Sequence, residues 1–371
     1  MVADKDVAGA AAPVAAVERQ QAFVVVGAGR SGTSAVTRGL DAIGIDLGNH
    51  LKAGTAKNAR GFFEDRELLE VIYRLREALG FKRSGAGVGI VPRDAYERPE
   101  IQPILDEAVR VLRTRFGDRP LWGFKAGGAF SFLPFFERVF QSLDVDVRYV
   151  LALRNPLSVA HSRRKVSLRR GSQINTDLEF LARIVPGFRE AARHPLVVVE
   201  FDHLMADAEG ELSRLAESLG LELTTERRRG IEAYARDFLS VDLRHHAAGE
   251  AELRASSQVY PLARDAYLLL ADVARGERRL SEPDFWADWA EIERAHAQLA
   301  PILSHVDALE AELRATRHGL AGAPLWLRDV MRHAWHKRRT TRSVEAVSGA
   351  ATDTATEPLS HERRRTGSGK A

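Results

Sequence analysis

The sequence predicts an α/β fold: three layers, αβα, with a central parallel sheet and a C-terminal helical extension. Short apolar runs rich in β-branched residues alternate with amphipathic helical patterns up to Leu221, which is typical of parallel βα units. The first of these runs ends in a glycine-rich turn, and beyond Leu221 the pattern is helical only. The predicted divisions are a flexible leader (1–20), an α/β domain (21–280), a helical or coiled-coil extension (281–320) and a basic amphipathic segment with a disordered tail (321–371).

Composition narrows the class of protein. The chain has 371 residues, of which 45% are hydrophobic, so it can bury a large core. It contains no cysteine, which excludes disulfides, thiolate metal sites and cysteine nucleophiles. A net charge of +3 is too small to indicate a nucleic-acid partner, and none is predicted. The N-terminal stretch has mixed charge and Pro13, which suits a signal peptide poorly, and no apolar run reaches about 18 residues, so we expect a cytoplasmic protein.

The first strand leads into the most informative turn of the chain. The apolar run Phe23–Val26 is followed by the small, hydroxyl-rich turn Gly27–Ser34, and a helical pattern continues to Ile43. Backbone N–H groups of such a turn and the positive end of the helix dipole converge on one point. The turn, which we call the cradle, therefore predicts a site for a phosphate-like group.

Three more predicted strands follow in order, each separated from the last by helical sequence. After a helix through Leu79, a surface loop or partial lid (81–98) and a helix (101–116), the strands are 120–125, 146–153 and 195–201. They end at Lys125, just before Arg154, and near Asp202. Because ligands of open α/β sheets bind at the carboxyl ends of the strands, Lys125 and Arg154 are expected beside the cradle.

The C-terminal third predicts helices at 226–238, 259–275 and 285–314. The last of these carries an apolar seam at spacings of three and four, interrupted by Pro301, and its members are Ile292, Ala295, Leu299, Ile302, Val306, Leu309 and Leu313. This seam fits either packing on the chain's own domain or a homodimer through 285–314. A mixture of aromatic and cationic residues at 325–339 predicts peripheral membrane contact.

Two common nucleotide-binding motifs fit the cradle poorly. Gly27 and Gly32 have the spacing of a P-loop, but Thr33 stands where the phosphate-binding lysine belongs, and only Asp202 could imperfectly replace the metal-holding aspartate. A dinucleotide-binding interpretation fails because no strand-end acid follows at a suitable distance. A kinase-like phosphotransferase with a displaced cation stays open as an alternative.

The cation in the cradle is Arg30, within Arg30-Ser31-Gly32-Thr33. At this point the sequence resembles the sulfotransferases that use 3′-phosphoadenylyl sulfate, of bacterial type, whose phosphosulfate loop is a shortened P-loop. The turn from Arg154 through Pro156 to Ser162 is similar to the family's 3′-phosphate motif, in which a serine lies eight residues after a strand-end arginine. The resemblance implies a P-loop-like sulfotransferase fold and a 3′-phosphoadenylyl sulfate co-substrate without a metal. It also implies that the donor is bound by Gly29, Arg30, Ser31, Gly32, Thr33, Ser34, Arg154 and Ser162.

Two further stretches resemble the family, and one departs from it. The segment 58–65, with Gly61-Phe62-Phe63-Glu64, and the strand and turn 198–204 are similar to bacterial members. Where the family often has Asp-Pro-Arg after the strand lysine, this chain has Ala126-Gly127-Gly128. The resemblance covers about 23–221 and leaves the helical end unexplained.

The predicted catalytic residues are Glu64, Arg30 and Lys125. Glu64 follows two phenylalanines that could raise its pKa, and it is the preferred general base, ahead of His50 and Asp65. Arg30 would stabilise charge on the leaving phosphate oxygen, and Lys125 would bind the sulfuryl oxygens. The predicted activity is sulfuryl transfer to a hydroxyl of a glycan, glycolipid or small metabolite, and a non-catalytic nucleotide-binding scaffold is the other alternative.

Arginine and lysine are concentrated in clusters. Such runs usually form solvated surfaces, and Arg227–Arg229 and the tail clusters are interpreted in that way. The clusters at 163–165 and 169–170 directly follow the predicted 3′-phosphate motif. A functional role is therefore better supported for this pair than for the others.

Overall fold

The computed structural model of the chain describes residues 19–54, 61–81, 87–168, 170–238 and 248–322. It divides into two compact units, Met1–Glu310 and Ala311–Ala371, and in the second unit only the end of one helix is described. The predicted leader and the predicted membrane-contact segment 325–339 lie outside the described residues.

A parallel sheet forms the centre of the first unit. Its four strands in the described part of the chain are β1 (Gln21–Val26), β2 (Leu121–Lys125), β3 (Asp146–Leu153) and β4 (Leu196–Glu200), in the spatial order β2-β1-β3-β4. Every neighbouring pair is parallel. Val25 is in register with Lys125 on one side and with Val150 on the other, so the carboxyl ends of the strands lie at one edge of the sheet.

Helices cover both faces, as the sequence predicts. Alternate residues of β1 point to opposite sides, with Phe23 and Val25 in one buried cluster and Ala22, Val24 and Val26 in the other. The first cluster packs against α1 (Thr33–Ala42), α8 (Ala208–Ser218) and α9 (Thr225–Ala233). The second packs against α2 (Arg66–Ala78), α3 (Gln102–Phe116), α4 (Leu133–Leu143), α6 (Gln173–Ala191) and α11 (Pro261–Arg275). Both faces are buried, which explains the nearly continuous apolar character of the strands.

The remaining helices connect these layers or extend beyond them. They are α5 (Pro156–Arg164), α7 (Phe201–Ala206), α10 (Glu250–Ala255), α12 (Pro283–Gln298) and α13 (Ala300–Gly322). The helix pattern predicted at 285–314 is thus two helices, and the break falls next to Pro301, which lacks the N–H that a continuous helix needs.

Helix α12 is part of the main core. Phe285 and Trp289 have no exposed surface, and the Trp289 ring lies 4.4 Å from that of Phe188 on α6. Arg189 and Glu293 join the same two helices with a 2.7 Å ion pair. Among the residues of the predicted seam, Ile292 is buried and Leu299 and Val306 pack against a small buried cluster, whereas the large side chains of Ile302, Leu309 and Leu313 are exposed. The homodimer stays a prediction.

Some elements differ from the sequence prediction. The segment after β2, for which no element was predicted, forms a short 3₁₀ helix (129–132) and α4. In the predicted surface loop 81–98, Val88, Ala95 and Tyr96 are buried, and the Tyr96 hydroxyl donates to the Ser131 carbonyl at 3.0 Å. Within the described residues no helix is both long and apolar enough to cross a bilayer.

Candidate functional site

The cradle depends on glycines where side chains cannot fit. Gly27 has φ +148° at the end of β1, and a Cβ there would lie 2.6 Å from the Ala152 carbonyl oxygen. Gly32 has φ +89°, and its Cβ would lie 2.2 Å from the Phe201 ring. Arg30 also adopts a left-handed conformation, φ 75°, which non-glycine residues occupy at a cost. The backbone is thus held in a strained turn of the kind that is concentrated at functional sites.

The turn leaves the start of α1 open. Gly32 is the N-cap residue, and no side chain in the described structure caps the helix. The Ser31 hydroxyl is directed back to the Ala28 carbonyl, to which it donates at 2.7 Å. The first N–H groups of a helix have no partner within the helix, so this end combines open donors with the positive end of the dipole. Such an arrangement favours an anion.

Arg30 contacts the turn from Arg154 to Ser162, which we call the α5 turn, at the carboxyl edge of the sheet. The Arg30 Nε donates to the Ser162 hydroxyl at 3.1 Å, and the Arg154 Nη1 donates to the Arg30 carbonyl at 3.3 Å. The Arg154 guanidinium also lies 4.5 Å from the centre of the Phe201 ring. The structure therefore brings together the two motifs that the sequence analysis identified 124 residues apart.

Partial loss of solvent opposes the charges of both arginines, although Arg30 is an exposed residue and Arg154 a buried one. Desolvation lowers the pKa of Arg30, and it is also the largest cause of the lowered pKa of Arg154. For Arg154, Asp202 opposes this effect, whereas Arg30 adds to it. The two cations repel each other, so an anion bound between them would stabilise both charged forms.

The start of α5 is fixed by buried polar contacts. Asn155 is the N-cap residue, and its side-chain oxygen accepts from the Leu157 N–H at 3.0 Å. Its side-chain nitrogen donates to the Ala248 carbonyl at 3.0 Å, and the Ser158 hydroxyl accepts from the Ala248 N–H at 2.9 Å. These bonds set the direction of the helix that carries Ser162.

Lys125 connects the cradle with the predicted base. Its Nζ lies 3.0 Å from the Glu64 carboxylate, 3.1 Å from the Phe62 carbonyl and 3.4 Å from the Ser34 hydroxyl. Burial is the largest cause of the lowered pKa of Lys125, and Lys52 and Arg30 add to it, whereas Glu64 opposes it. Lys125, Glu64 and Ser34 thus form one contact group at the strand edge.

The alternative bases have other partners. Asp65 is the N-cap of α2, accepting from the Glu67 and Leu68 N–H groups, and its second oxygen accepts from Arg115 at 2.8 Å. Its carboxylate is therefore used for structure, and this capping role belongs to Asp65 rather than to Glu64. The His50 side chain is half exposed and lies 3.4 Å from the Glu67 carboxylate. Only Glu64 of the three contacts Lys125 in the described structure.

Sequence reasoning did not single out two residues behind the cradle. Phe201 contacts Arg154 and packs against Gly32, and the sequence marked it only as one member of the strand and turn 198–204. Glu179 on α6 pairs with Arg163, and its carboxylate would lie 3.2 Å from a Cβ on Gly29. No local pattern marks Glu179, because its contacts come from helix packing.

A cavity of about 610 Å³ lies at the end of β4. Its lining includes the carboxylates of Glu200, Asp202, Glu250 and Glu277, with one arginine, Arg275. Tyr267 donates to Glu200, and burial, followed by this carboxylate, raises the pKa of the tyrosine. The excess of carboxylates disfavours a phosphate group in the cavity, so the anion is expected at the cradle.

The described residues contain no group of three or more histidine, aspartate or glutamate side chains arranged to hold a metal ion. The charge near the cradle is instead provided by Arg30, Lys125 and Arg154 of the chain itself.

Comparison with known proteins identifies similar structures. No protein-family model matches the chain, and no curated protein sequence matches it. The structure is similar to the sulfotransferase domain of the olefin synthase from Synechococcus PCC 7002, with a TM-score of 0.36 and 14% sequence identity over 76% of this chain and 97% of that one. It is also similar to sulfotransferase STF9 from Mycobacterium avium, with a TM-score of 0.37 and 14% identity over 61% of this chain and 70% of that one. Similarity at this level carries no information on substrate or activity.

The contact between Gly32 and Phe201 predicts a specific loss of stability. We expect Gly32→Ala to lower the free energy of unfolding by about 2–4 kcal/mol. The new Cβ would clash with the Phe201 ring, and alanine would also have to adopt an unfavourable positive φ. Gly276→Ala is the control, since Gly276 has φ +75° but nothing within 4 Å of its Cβ, and it should cost only about 1 kcal/mol. Urea denaturation measures both, and equal losses would contradict the steric argument.

Proposed function

We propose that this protein is a sulfotransferase that moves the sulfuryl group of 3′-phosphoadenylyl sulfate to a hydroxyl group of an acceptor. The observation that supports this most directly is the contact of Arg30 with both parts of the α5 turn, Ser162 and Arg154. In this proposal one anion binds at the cradle and another at this turn, which suits a donor with phosphate groups at two positions of one nucleoside. The uncapped start of α1 fits the phosphosulfate end.

The cradle would stabilise the leaving group. In the transfer, the bond between sulfur and the bridging phosphate oxygen breaks, and adenosine 3′,5′-bisphosphate leaves with the negative charge. Backbone N–H groups of the cradle, the Arg30 guanidinium and the hydroxyls of Thr33 and Ser34 are donors for that charge. Loss of one such donor costs about 3 kcal/mol in related anion-stabilising sites.

Lys125 and Glu64 would serve the other half of the reaction. Glu64 accepts the proton of the attacking hydroxyl while the new sulfur–oxygen bond forms, and Lys125 stabilises charge on the sulfuryl oxygens. Their 3.0 Å contact supports the assignment, because it keeps the base next to the group that would hold the transferred anion. The transfer needs no metal ion in this proposal, since the sulfuryl end carries less charge than a terminal phosphate.

The acceptor is a hydroxyl on a glycan, glycolipid or small metabolite, and a cytoplasmic location stays part of the proposal. The residues after Lys125 bear on the acceptor side. Gly127 accepts from the Gly27 N–H at 3.2 Å, and a Cβ on Gly128 would lie 2.4 Å from the Arg183 guanidinium. The Arg183 side chain therefore lies beside Gly128, in the segment where this chain differs from the family's Asp-Pro-Arg.

The donor assignment predicts a selective loss of binding. Arg154→Ala should weaken binding of adenosine 3′,5′-bisphosphate about 10- to 100-fold, as expected for loss of a charged hydrogen bond, and should weaken binding of AMP much less. Isothermal titration calorimetry with EDTA present measures both ligands.

Ser162→Ala is the companion variant, since it removes a hydroxyl and keeps both arginines. Ser162→Ala should also weaken binding of adenosine 3′,5′-bisphosphate more than binding of AMP, by a smaller factor than Arg154→Ala does. Equal losses for the two ligands would reject the 3′-phosphate site, and tight ATP binding that requires magnesium would favour the kinase-like alternative.

The assignment of Glu64 predicts a loss of turnover without a loss of binding. Glu64→Gln keeps the shape of the side chain and removes the base, so kcat should fall about 10²- to 10⁴-fold while affinity for adenosine 3′,5′-bisphosphate is kept. Glu67→Gln, three residues away and paired with Arg115 and His50, should keep its turnover. Full activity in Glu64→Gln together with loss in His50→Ala would move the role to His50.

The lowered pKa of Lys125 predicts the alkaline limb of the pH profile. Because the folded pKa is below the ordinary value of 10.5, the ammonium loses its proton at a lower pH than free lysine, and kcat/KM should fall there. Lys125→Arg keeps a cation to higher pH, so its activity, although lower, should persist further into the alkaline range. An unchanged alkaline limb in Lys125→Arg would exclude Lys125 as the titrating group.

A further inference from the structure

Exposed apolar side chains lie directly after the helix that carries Ser162. Leu168 is 83% exposed, Val166 is 49% exposed and Ile174 is 48% exposed. These are three of the six large apolar side chains recorded as exposed in the described residues. A single exposed apolar side chain is ordinary, but here three occur within nine positions, and grouped exposed apolar residues mark interaction sites.

The turn that presents Leu168 is built into the fold. Its ends are joined by the Gly171 N–H, which donates to the Ser167 carbonyl at 2.9 Å, and by the Arg164 Nε, which donates to the Gly171 carbonyl at 2.9 Å. A Cβ on Gly171 would lie 2.3 Å from the Arg164 backbone nitrogen, so the backbone at one end of the turn lies against the backbone at the other end. Leu168 therefore projects from a closed turn.

The same turn is positively charged. Arg164, Lys165 and Arg170 are exposed, and within the described residues none of them lies at ion-pair distance from a carboxylate. The neighbouring Arg163 is different, because it is buried and paired with Glu179. No acidic residue occurs between Arg163 and Asp177 in the sequence, so the turn carries no acidic side chain of its own.

We propose that the surface formed by Arg164, Lys165, Val166, Leu168, Arg170 and Ile174 binds an anionic lipid membrane. A projecting apolar side chain surrounded by cations suits a fluid interface, which accepts the side chain among acyl chains while anionic headgroups meet the charges. A protein partner would instead need a matching recess for Leu168. We call these six residues the lipid-contact surface.

The position of this surface has a consequence for the acceptor. It begins two residues after Ser162, so membrane contact would bring the edge of the sheet close to the lipid. If the proposed sulfuryl transfer is correct, the acceptor is then a hydroxyl carried by a lipid. The membrane contact itself does not depend on that reaction.

A single label can test the contact, because the chain has no cysteine. The full-length Leu168→Cys variant is labelled with the polarity-sensitive fluorophore NBD and mixed with phosphatidylcholine vesicles with or without phosphatidylserine. We expect a blue shift and a rise in emission only with phosphatidylserine, and quenching by spin-labelled acyl chains. Ile302→Cys, at a site 61% exposed on α13, is the matched control and should not respond.

No response at Leu168→Cys would overturn the proposal, as would an equal response at Ile302→Cys or with neutral vesicles. A response to the soluble polyanion heparin in place of vesicles would also overturn it, in favour of a macromolecular polyanion.

Charge variants give a second measurement. Lys165→Gln with Arg170→Gln should weaken co-sedimentation with phosphatidylserine vesicles about fivefold per cation removed. Arg228→Gln with Arg229→Gln removes the same charge from another exposed cluster and should leave vesicle binding unchanged. Equal effects of the two pairs would show that only net charge matters, which contradicts a local surface. The vesicle assays contain no donor, and calorimetry with adenosine 3′,5′-bisphosphate contains no lipid, so the two proposals fail separately.

Discussion

Three cations held close together, the exposed Arg30 and the largely buried Lys125 and Arg154, are the constraint on which the site depends. Arg30, Lys125 and Arg154 meet at the carboxyl edge of the sheet, and burial lowers the pKa of each. Glu64 compensates one of them and Asp202 acts on another, so positive charge is left beside the open start of α1. A ligand anion would replace the water that these groups lose. The strained cradle and the fixed start of α5 both serve to hold these charges close together.

The sequence was sufficient to predict the sheet and most of its edge. Parallel strands align their carboxyl ends, so residues that follow separate strands, such as Lys125 and Arg154, could be assigned to one place without any knowledge of distances. The β3 boundaries at Asp146 and Leu153 agree with the prediction because charged and turn-forming residues flank a continuous apolar run. The roles of these residues stay predictions, since placement alone does not test them.

What could not be predicted depends on contacts between distant parts of the chain. The packing of Phe201 over Gly32 and of Glu179 behind Gly29 follows from how α7 and α6 lie on the sheet, and no periodicity encodes it. The apolar pattern of α12 was compatible both with a homodimer interface and with a helix that packs on the chain's own core. Only the tertiary structure shows that Trp289 packs on Phe188, because amphipathicity indicates that a face is covered but not by what.

The order of the strands affects how the molecule can assemble. The strand β1 is synthesised first, but its neighbours in the sheet begin at Leu121 and Asp146. About a hundred residues must leave the ribosome before the apolar run of β1 gains either partner, and long loops must close for each pairing. The cradle therefore forms late in folding, although its residues precede those of both neighbouring strands. Until then the apolar run of β1 has no partner strand, and slower synthesis would lengthen the time for which it could bind chaperones or aggregate.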